Sequence, residues 1–213
     1  MVSQSNVGLS KTSKLVLTRN ASIQLSQKIY YLLDVLQILI KNVLKQISEV
    51  KKDAEVIVKA IESVPNLETL DINGISLGIE GAEALANAIA KRKTLKNCDW
   101  GNCFKSRLLE EIPPALIHLA EGLKQSGARI RRLDLSDNAF GPNGARGVKP
   151  ILETEACLEL EEIHLENCGL GVGGGEIVGS GLEVMNDNIR KAGLTPKLRL
   201  LISGQAAPSV CFL

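Results

Sequence analysis

The chain has few aromatic residues, almost no net charge and no long uninterrupted apolar run, and each deficit excludes a class of protein. Aromatic residues make up 3% of 213 residues, and 25 Lys and Arg balance 24 Asp and Glu, for a formal net charge of +1. A nucleic-acid-binding domain usually carries a basic face, so we expect no nucleic-acid partner. Charged and amide side chains interrupt the most apolar segment, 29–47, so we expect no transmembrane segment.

Cysteine and histidine are also too few and too scattered to indicate a metal site. The chain has 5 Cys and 2 His. Cys98 and Cys103 form the only closely spaced cysteine pair, and no second pair completes a zinc pattern, so we expect no metal. The first residues lack the apolar segment of a secretory signal, which favours a cytoplasmic protein with reduced thiols.

A repeated apolar spacing is the strongest pattern that is present. Five segments follow or approach the L-x-x-L-x-L spacing of a leucine-rich-repeat strand. They are Leu67–Ile72, Leu95–Trp100, Ile130–Leu135, Leu160–Leu165 and Leu198–Ser203. Segments Glu80–Ala90 and Ile112–Leu123 between them have helical apolar spacing. The predicted fold class is α/β, a leucine-rich-repeat solenoid that forms a fragment of a ribonuclease-inhibitor-like horseshoe, with a parallel concave sheet and outer helices.

The repeats divide the chain into three parts. Residues 1–51 are a divergent N-terminal segment with an amphipathic helix at about 29–47, residues 52–204 are the leucine-rich-repeat domain with about five repeats, and residues 205–213 are a non-repeat tail. The helix packs on the neighbouring domain in our interpretation, and a lipid-binding or partner-binding surface is the alternative.

The repeat pattern assigns structural turn positions to three residues. Asn138 completes the longer L-x-x-L-x-L-x-x-N form, and Cys103 and Cys168 stand at the same position in their repeats. In such repeats this side chain turns inward and hydrogen-bonds the backbone of the bend. Ile75 stands there in the Leu67 repeat, which predicts a looser bend.

The loops that follow the strands contain the candidate functional residues. Gly169–Gly174 satisfies G-x-G-x-x-G, but it follows a repeat strand and not the first strand of a dinucleotide-binding unit, so we expect no nucleotide there. Arg107, Asp137 and Asn167 lie on three successive loops. Adjacent parallel strands are about 5 Å apart, so these side chains are expected to lie side by side on one rim.

The same loops resemble the Ran GTPase-activating proteins. The resemblance rests on Asn102–Pro113, Leu133–Pro142 and Glu166–Gly171, in that order. It covers about Lys52 to Leu201 and is similar to the N-terminal part of the leucine-rich-repeat domain of the animal-type proteins. The chain ends before further repeats, an acidic stretch or a capping helix, so we expect a truncated form.

The resemblance implies a GTPase activator without enzymatic activity of its own. It implies Ran in its GTP form as partner, with a Ran-binding protein as a further partner, a role in nucleocytoplasmic transport, and a location in the cytoplasm or at the nuclear envelope. No cofactor is expected, because GTP and magnesium belong to the GTPase. The alternative is a leucine-rich-repeat protein-binding module that has lost activator function through truncation.

The resemblance also implies roles for the loop residues. Asn167 positions the catalytic glutamine of the GTPase, and Arg107 and Asp137 lie at the GTPase interface. Arg107 invites comparison with an arginine finger, but this class works without one. The structural alternatives are a solvated rim charge for Arg107 and a turn-capping amide for Asn167.

Overall fold

A computed structural model describes residues 13–16, 61, 63–64, 66–104, 107–204 and 209–211 of the chain. They form an α/β fold with a sheet of seven strands in chain order. The strands are β1 (Ser13–Val16), β2 (Leu67–Asp71), β3 (Asn97–Asp99), β4 (Arg132–Asp134), β5 (Glu162–Glu166), β6 (Leu200–Gly204) and β7 (Ser209–Cys211). Strands β1 to β6 pair in parallel, and β7 pairs antiparallel with β6. The predicted helix at 29–47 lies outside the described residues.

Four helices connect the central parallel strands. They are α1 (Ile79–Ile89), α2 (Ile112–Ser126), α3 (Gly141–Glu153) and α4 (Gly171–Lys191), and a 3-10 turn, Glu155–Glu159, follows α3. Each helix contacts the next along the chain. Helices α1 and α2 coincide with the two segments predicted from apolar spacing. The chain therefore repeats one unit of strand, loop and helix, and neighbouring units pack strand on strand and helix on helix.

The strands are held in register by a row of buried side chains. Leu70, Cys98, Leu133 and Ile163 are aligned across β2 to β5, and all four are fully buried. Because alternate strand residues point to opposite faces, this row and the next apolar one fill the core from a single side of the sheet. A shift of one residue would place these aliphatic side chains on the other face, so the L-x-x-L-x-L spacing determines the register.

The other face of the sheet carries charged side chains. Arg132 on β4 approaches three carboxylates: Asp99 at 2.6 Å, Asp134 at 3.0 Å and Glu162 at 3.8 Å. The acidic groups on β3, β4 and β5 therefore share one guanidinium, which offsets their mutual repulsion.

The helix layer requires glycine where two helices cross closely. A Cβ on Gly122 of α2 would lie 2.6 Å from the Ala86 carbonyl oxygen and 2.7 Å from the Ala86 Cα, both backbone atoms of α1. Neither atom can move without displacing α1. Glycine at this position therefore allows α1 and α2 to approach closely enough for their strands to pair.

We expect Gly122→Ala to lower the free energy of unfolding by about 1–3 kcal/mol, the usual cost of an overpacked core, despite the better helix propensity of alanine. Urea denaturation followed by circular dichroism measures the change. Gly179→Ala is the matched control, since nothing lies within 4 Å of its added Cβ in α4. That variant should gain about 0.5–1 kcal/mol. Equal effects of the two substitutions would contradict a close α1–α2 crossing.

Two strands were not expected from the repeats. Strand β1 falls in the segment 1–51 and extends the sheet beside β2. Strand β7 falls in the tail 205–213 and pairs with β6 at the opposite edge of the sheet. Their sequences, SKLV and SVC, are too short to carry the repeat spacing. Among the residues that the structure describes, no helix is long and apolar enough to cross a membrane.

Candidate functional site

Every bend after strands β2 to β5 has a residue in the left-handed backbone region at the same repeat position. These residues are Gly74, Asn102, Asp137 and Asn167, with φ between 52° and 77°. Glycine, asparagine and aspartate adopt this conformation more readily than other residues. The side chains of Asp137 and Asn167 thus stand at equivalent positions of neighbouring units, and both are exposed.

Backbone hydrogen bonds join these bends to one another. The Gly74 N–H donates to the Gly101 carbonyl at 3.0 Å, Asn102 N–H to Ser136 at 2.8 Å, and Asp137 N–H to Glu166 at 2.8 Å. The parallel pairing of the strands therefore continues into the loops. The bend that contains Ile75 shares this backbone pairing through the Gly74 N–H, and the looser bend expected there stays a prediction.

The Asn138 side chain satisfies the buried backbone of two adjacent bends. Its Oδ1 accepts from the Cys103 and Phe104 N–H groups at 2.7 and 3.0 Å. Its Nδ2 donates to the carbonyls of Trp100 at 3.1 Å and Leu135 at 2.7 Å. The residue is fully buried. One amide thus holds the loop after β3 to the loop after β4.

The thiols of Cys103 and Cys168 lie at the positions equivalent to Asn138. Cys103 Sγ donates to the Ile72 carbonyl at 3.2 Å, and Cys168 Sγ donates to the Leu135 carbonyl at 3.2 Å. Burial raises the pKa of the Cys168 thiol to about 12 and that of the Cys103 thiol still further. Both groups are therefore neutral donors in the folded protein and poor nucleophiles.

Asp137 and Asn167 contact each other directly. The Asn167 Nδ2 donates a hydrogen bond of 3.1 Å to Asp137 Oδ1, between exposed side chains. The contact bridges two units, because Asp137 follows β4 and Asn167 follows β5. The two residues form a polar pair on a backbone that lateral hydrogen bonds hold in place.

Arg107 lies on the loop after β3 but extends away from this pair. Its Nε donates to Ser76 Oγ at 3.0 Å, and its Nη2 donates to the Ser76 carbonyl at 3.4 Å. Ser76 belongs to the loop of the preceding unit. The side chain is half-buried. The structure thus brings Asp137 and Asn167 together and engages the Arg107 guanidinium with the loop after β2.

Large apolar side chains are exposed next to these loops. Leu108 is 67% exposed and Leu109 is 55% exposed, directly after Arg107, and Val172 at the start of α4 is 82% exposed. Asn143 Nδ2 donates to the Leu109 carbonyl at 2.7 Å and ties this loop to the first turn of α3. Exposed leucines beside polar groups are typical of a protein interface.

Two residues of these loops, Asn102 and Ser76, were not predicted from the sequence as functional residues. Asn102 shares the left-handed position of Asp137 and Asn167, and alignment of Asn102-Cys103 with Asp137-Asn138 and Asn167-Cys168 would have revealed it. No sequence pattern indicates Ser76, because its role depends on a hydrogen bond from the Arg107 side chain of the next unit. No group of three or more His, Cys, Asp or Glu side chains that could hold a metal occurs in the described part of the chain.

The fold and the rim define an α/β repeat protein whose loops present exposed polar and apolar side chains. The chain is 39% identical over 154 residues to the Ran GTPase-activating protein 1 of Xenopus laevis, a match that covers 72% of this chain and 27% of that protein. It is 38% identical over 153 residues to the Drosophila melanogaster Ran GTPase-activating protein, covering 72% and 26%. It is 31% identical over 153 residues to that of Saccharomyces cerevisiae, covering 68% and 36%.

Over the matched residues the chain is homologous to proteins named Ran GTPase-activating protein in several animals. No protein-family model matches the chain. The chain spans about a quarter of the length of the first two relatives, 27% and 26%.

Proposed function

We propose that the chain activates GTP hydrolysis by the small GTPase Ran. The observation that carries the proposal is the exposed Asp137–Asn167 pair, on hydrogen-bonded bends of a chain homologous to Ran GTPase-activating proteins. The partner is Ran in its GTP form, and a Ran-binding protein can join the complex. The process is nucleocytoplasmic transport, in the cytoplasm or at the nuclear envelope.

The proposal includes a finer description of the fold. The repeated strand, loop and helix units, the sequential parallel sheet and the inward Asn138, Cys103 and Cys168 side chains support a leucine-rich-repeat solenoid. In such a solenoid all loops after the strands open on one rim. A globular partner can then contact several units at once.

The proposed mechanism follows from what the GTPase already has. A GTPase binds the nucleotide and magnesium and supplies a glutamine that orients the attacking water, so the activator needs no cofactor. What it can add is positive charge or a fixed position for that glutamine. The Asn167 amide has donors and an acceptor and can hold another amide by hydrogen bonds.

Arg107 is assigned to the interface and not to an arginine finger. Its guanidinium already donates to Ser76 Oγ and the Ser76 carbonyl. Inserting it into another protein's active site would break both bonds. Arg107 therefore shapes the loop that carries Leu108 and Leu109, while Asp137 lies beside Asn167 at the same interface.

The test is single-turnover GTP hydrolysis by Ran loaded with GTP and magnesium, with and without the full chain. We expect acceleration by about 10³-fold or more at saturating chain, which is the lower end of the range found for activators that supply an arginine finger. Binding is followed in parallel with a fluorescent GTP analogue on Ran. Binding without acceleration would overturn the proposal in favour of a binding module without activator function. If the chain neither binds Ran nor accelerates hydrolysis, the activator function and the binding-module alternative are both overturned.

Leu108 and Leu109 provide a separate prediction about the interface. We expect the double variant Leu108→Ser, Leu109→Ser to raise the half-saturating concentration of the chain about tenfold, since truncating a residue at the centre of an interface can cost more than 1 kcal/mol. The maximal rate should stay nearly unchanged. Ile117→Ser is the control, because Ile117 is 49% exposed on α2 and lies beside Pro150 and Glu153 in the C-terminal part of α3. An unchanged half-saturating concentration for the double variant would place the interface elsewhere.

A further inference from the structure

The hydrogen bond between Asp137 and Asn167 determines which way the Asn167 amide faces. An ionised carboxylate can only accept hydrogen bonds, so the amide branch that contacts Asp137 Oδ1 at 3.1 Å must be the NH₂ group. A flipped amide would place its carbonyl oxygen against the carboxylate oxygen, which is repulsive. The charge of Asp137 therefore selects one of the two amide orientations.

This orientation leaves the Asn167 carbonyl oxygen on the branch away from Asp137. No described residue donates a hydrogen bond to that oxygen, and the side chain is exposed. The rim thus presents a hydrogen-bond acceptor at this point. The bend that carries it is held by the hydrogen bond of 2.8 Å from the Asp137 N–H to the Glu166 carbonyl. A partner group that binds here must donate a hydrogen bond.

We propose that Asp137 is a positioning residue that orients the Asn167 amide so that its carbonyl oxygen accepts from the NH₂ group of the partner's glutamine. The inference rests on the proposed function. A glutamine held by its NH₂ group keeps its own carbonyl oxygen available to accept from the attacking water. The opposite Asn167 orientation would engage the glutamine oxygen and compete with the water.

The chain itself indicates which substitutions the backbone tolerates. The equivalent left-handed position holds glycine at Gly74 and asparagine at Asn102. Asp137→Asn keeps the shape but removes the charge, so either orientation of the Asn167 amide becomes possible. Asp137→Gly removes the side chain without straining the bend. Circular dichroism and thermal melting verify that both variants fold.

The activity test is a double-mutant cycle on single-turnover hydrolysis by Ran. We expect Asp137→Asn to lower the maximal rate about tenfold, as for loss of a charge-assisted hydrogen bond, and to leave the half-saturating concentration nearly unchanged. In an Asn167→Gly background the same substitution should have no further effect. An equal effect in both backgrounds, or a change confined to the half-saturating concentration, would show that Asp137 contacts the partner itself and would overturn the inference.

A second measurement does not depend on activity. The side-chain NH₂ signals of Asn167 in a ¹⁵N-labelled chain, assigned by their loss in Asn167→Gly, should shift in Asp137→Asn and Asp137→Gly. The same signals should be unaffected by Asn102→Gly. Unchanged Asn167 signals in the Asp137 variants would overturn the inference. If the unaltered chain fails to stimulate Ran while these signals shift, the proposed function fails and the orientation of Asn167 by Asp137 stands.

Discussion

Asn167→Gly is expected to lower the maximal rate of stimulated GTP hydrolysis about 100-fold, the usual effect of misplacing a reacting group by an ångström. The variant removes the amide that would hold the GTPase glutamine. Glycine adopts the φ of 52° found at Asn167, so the bend should persist. The half-saturating concentration should change little, because one exposed side chain is a small part of an interface. Single-turnover hydrolysis by Ran over a range of chain concentrations separates the two quantities.

Asn102→Gly is the matched control for that experiment. It makes the same substitution at the equivalent left-handed position, where φ is 53°, but in the unit after β3. Its effect on the maximal rate should be less than about twofold, since a surface change away from the reacting groups usually costs under 0.5 kcal/mol. An equal loss of maximal rate in Asn167→Gly and Asn102→Gly would mean that the substitutions act by disturbing the bends and not by removing the Asn167 amide. Full stimulation by Asn167→Gly would refute the positioning role.

Asn138→Ala should be the most destabilising substitution of a single loop residue. The side chain makes four hydrogen bonds to the backbone of two bends and is fully buried. Its removal leaves the Cys103 and Phe104 N–H groups and the Trp100 carbonyl without this partner, while the Leu135 carbonyl still accepts from the Cys168 thiol. Each buried group left unpaired costs about 1–3 kcal/mol, so with partial relaxation we expect a loss of about 4 kcal/mol in the free energy of unfolding. Urea denaturation with linear extrapolation measures it.

Asn143→Ala is the control for this measurement. Its Nδ2 makes one exposed hydrogen bond, to the Leu109 carbonyl at 2.7 Å. We expect a loss of about 1 kcal/mol or less, because solvent can replace the lost bond. A loss for Asn138→Ala as small as that of the control would mean that water substitutes for the buried amide. The bends would then be held by their backbone pairing alone.

The apolar spacing predicted the positions of strands and helices well for a physical reason. The aligned row of Leu70, Cys98, Leu133 and Ile163 is the core itself, so the pattern that identifies a strand also determines its face and register. Helices α1 and α2 are long enough to show their period. Strands β1 and β7 have three or four residues and no repeat spacing, and they exist through pairing at the sheet edges.

The site was predictable as a set of loops but not as a set of contacts. Asp137 and Asn167 follow equivalent strands, which places them near each other before any coordinates are known. Their hydrogen bond depends on two left-handed bends with φ of 58° and 52°. The spacing also suggested that Arg107 would join them, whereas its guanidinium bonds to Ser76 in the preceding unit.

The sequence alone determined the repeating unit, the α/β class and the three loops that hold the candidate residues, because these depend on periodic burial along one chain. The repeat pattern also predicted that Asn138 turns inward, but the directions of two other side chains were decided by tertiary structure: Arg107 toward Ser76 and the Asn167 amide toward Asp137. Such contacts join residues about thirty positions apart, with separations of 30 and 31 for the Asn167 and Arg107 bonds. Their partners become neighbours only when the units stack, so local spacing carries no information about them.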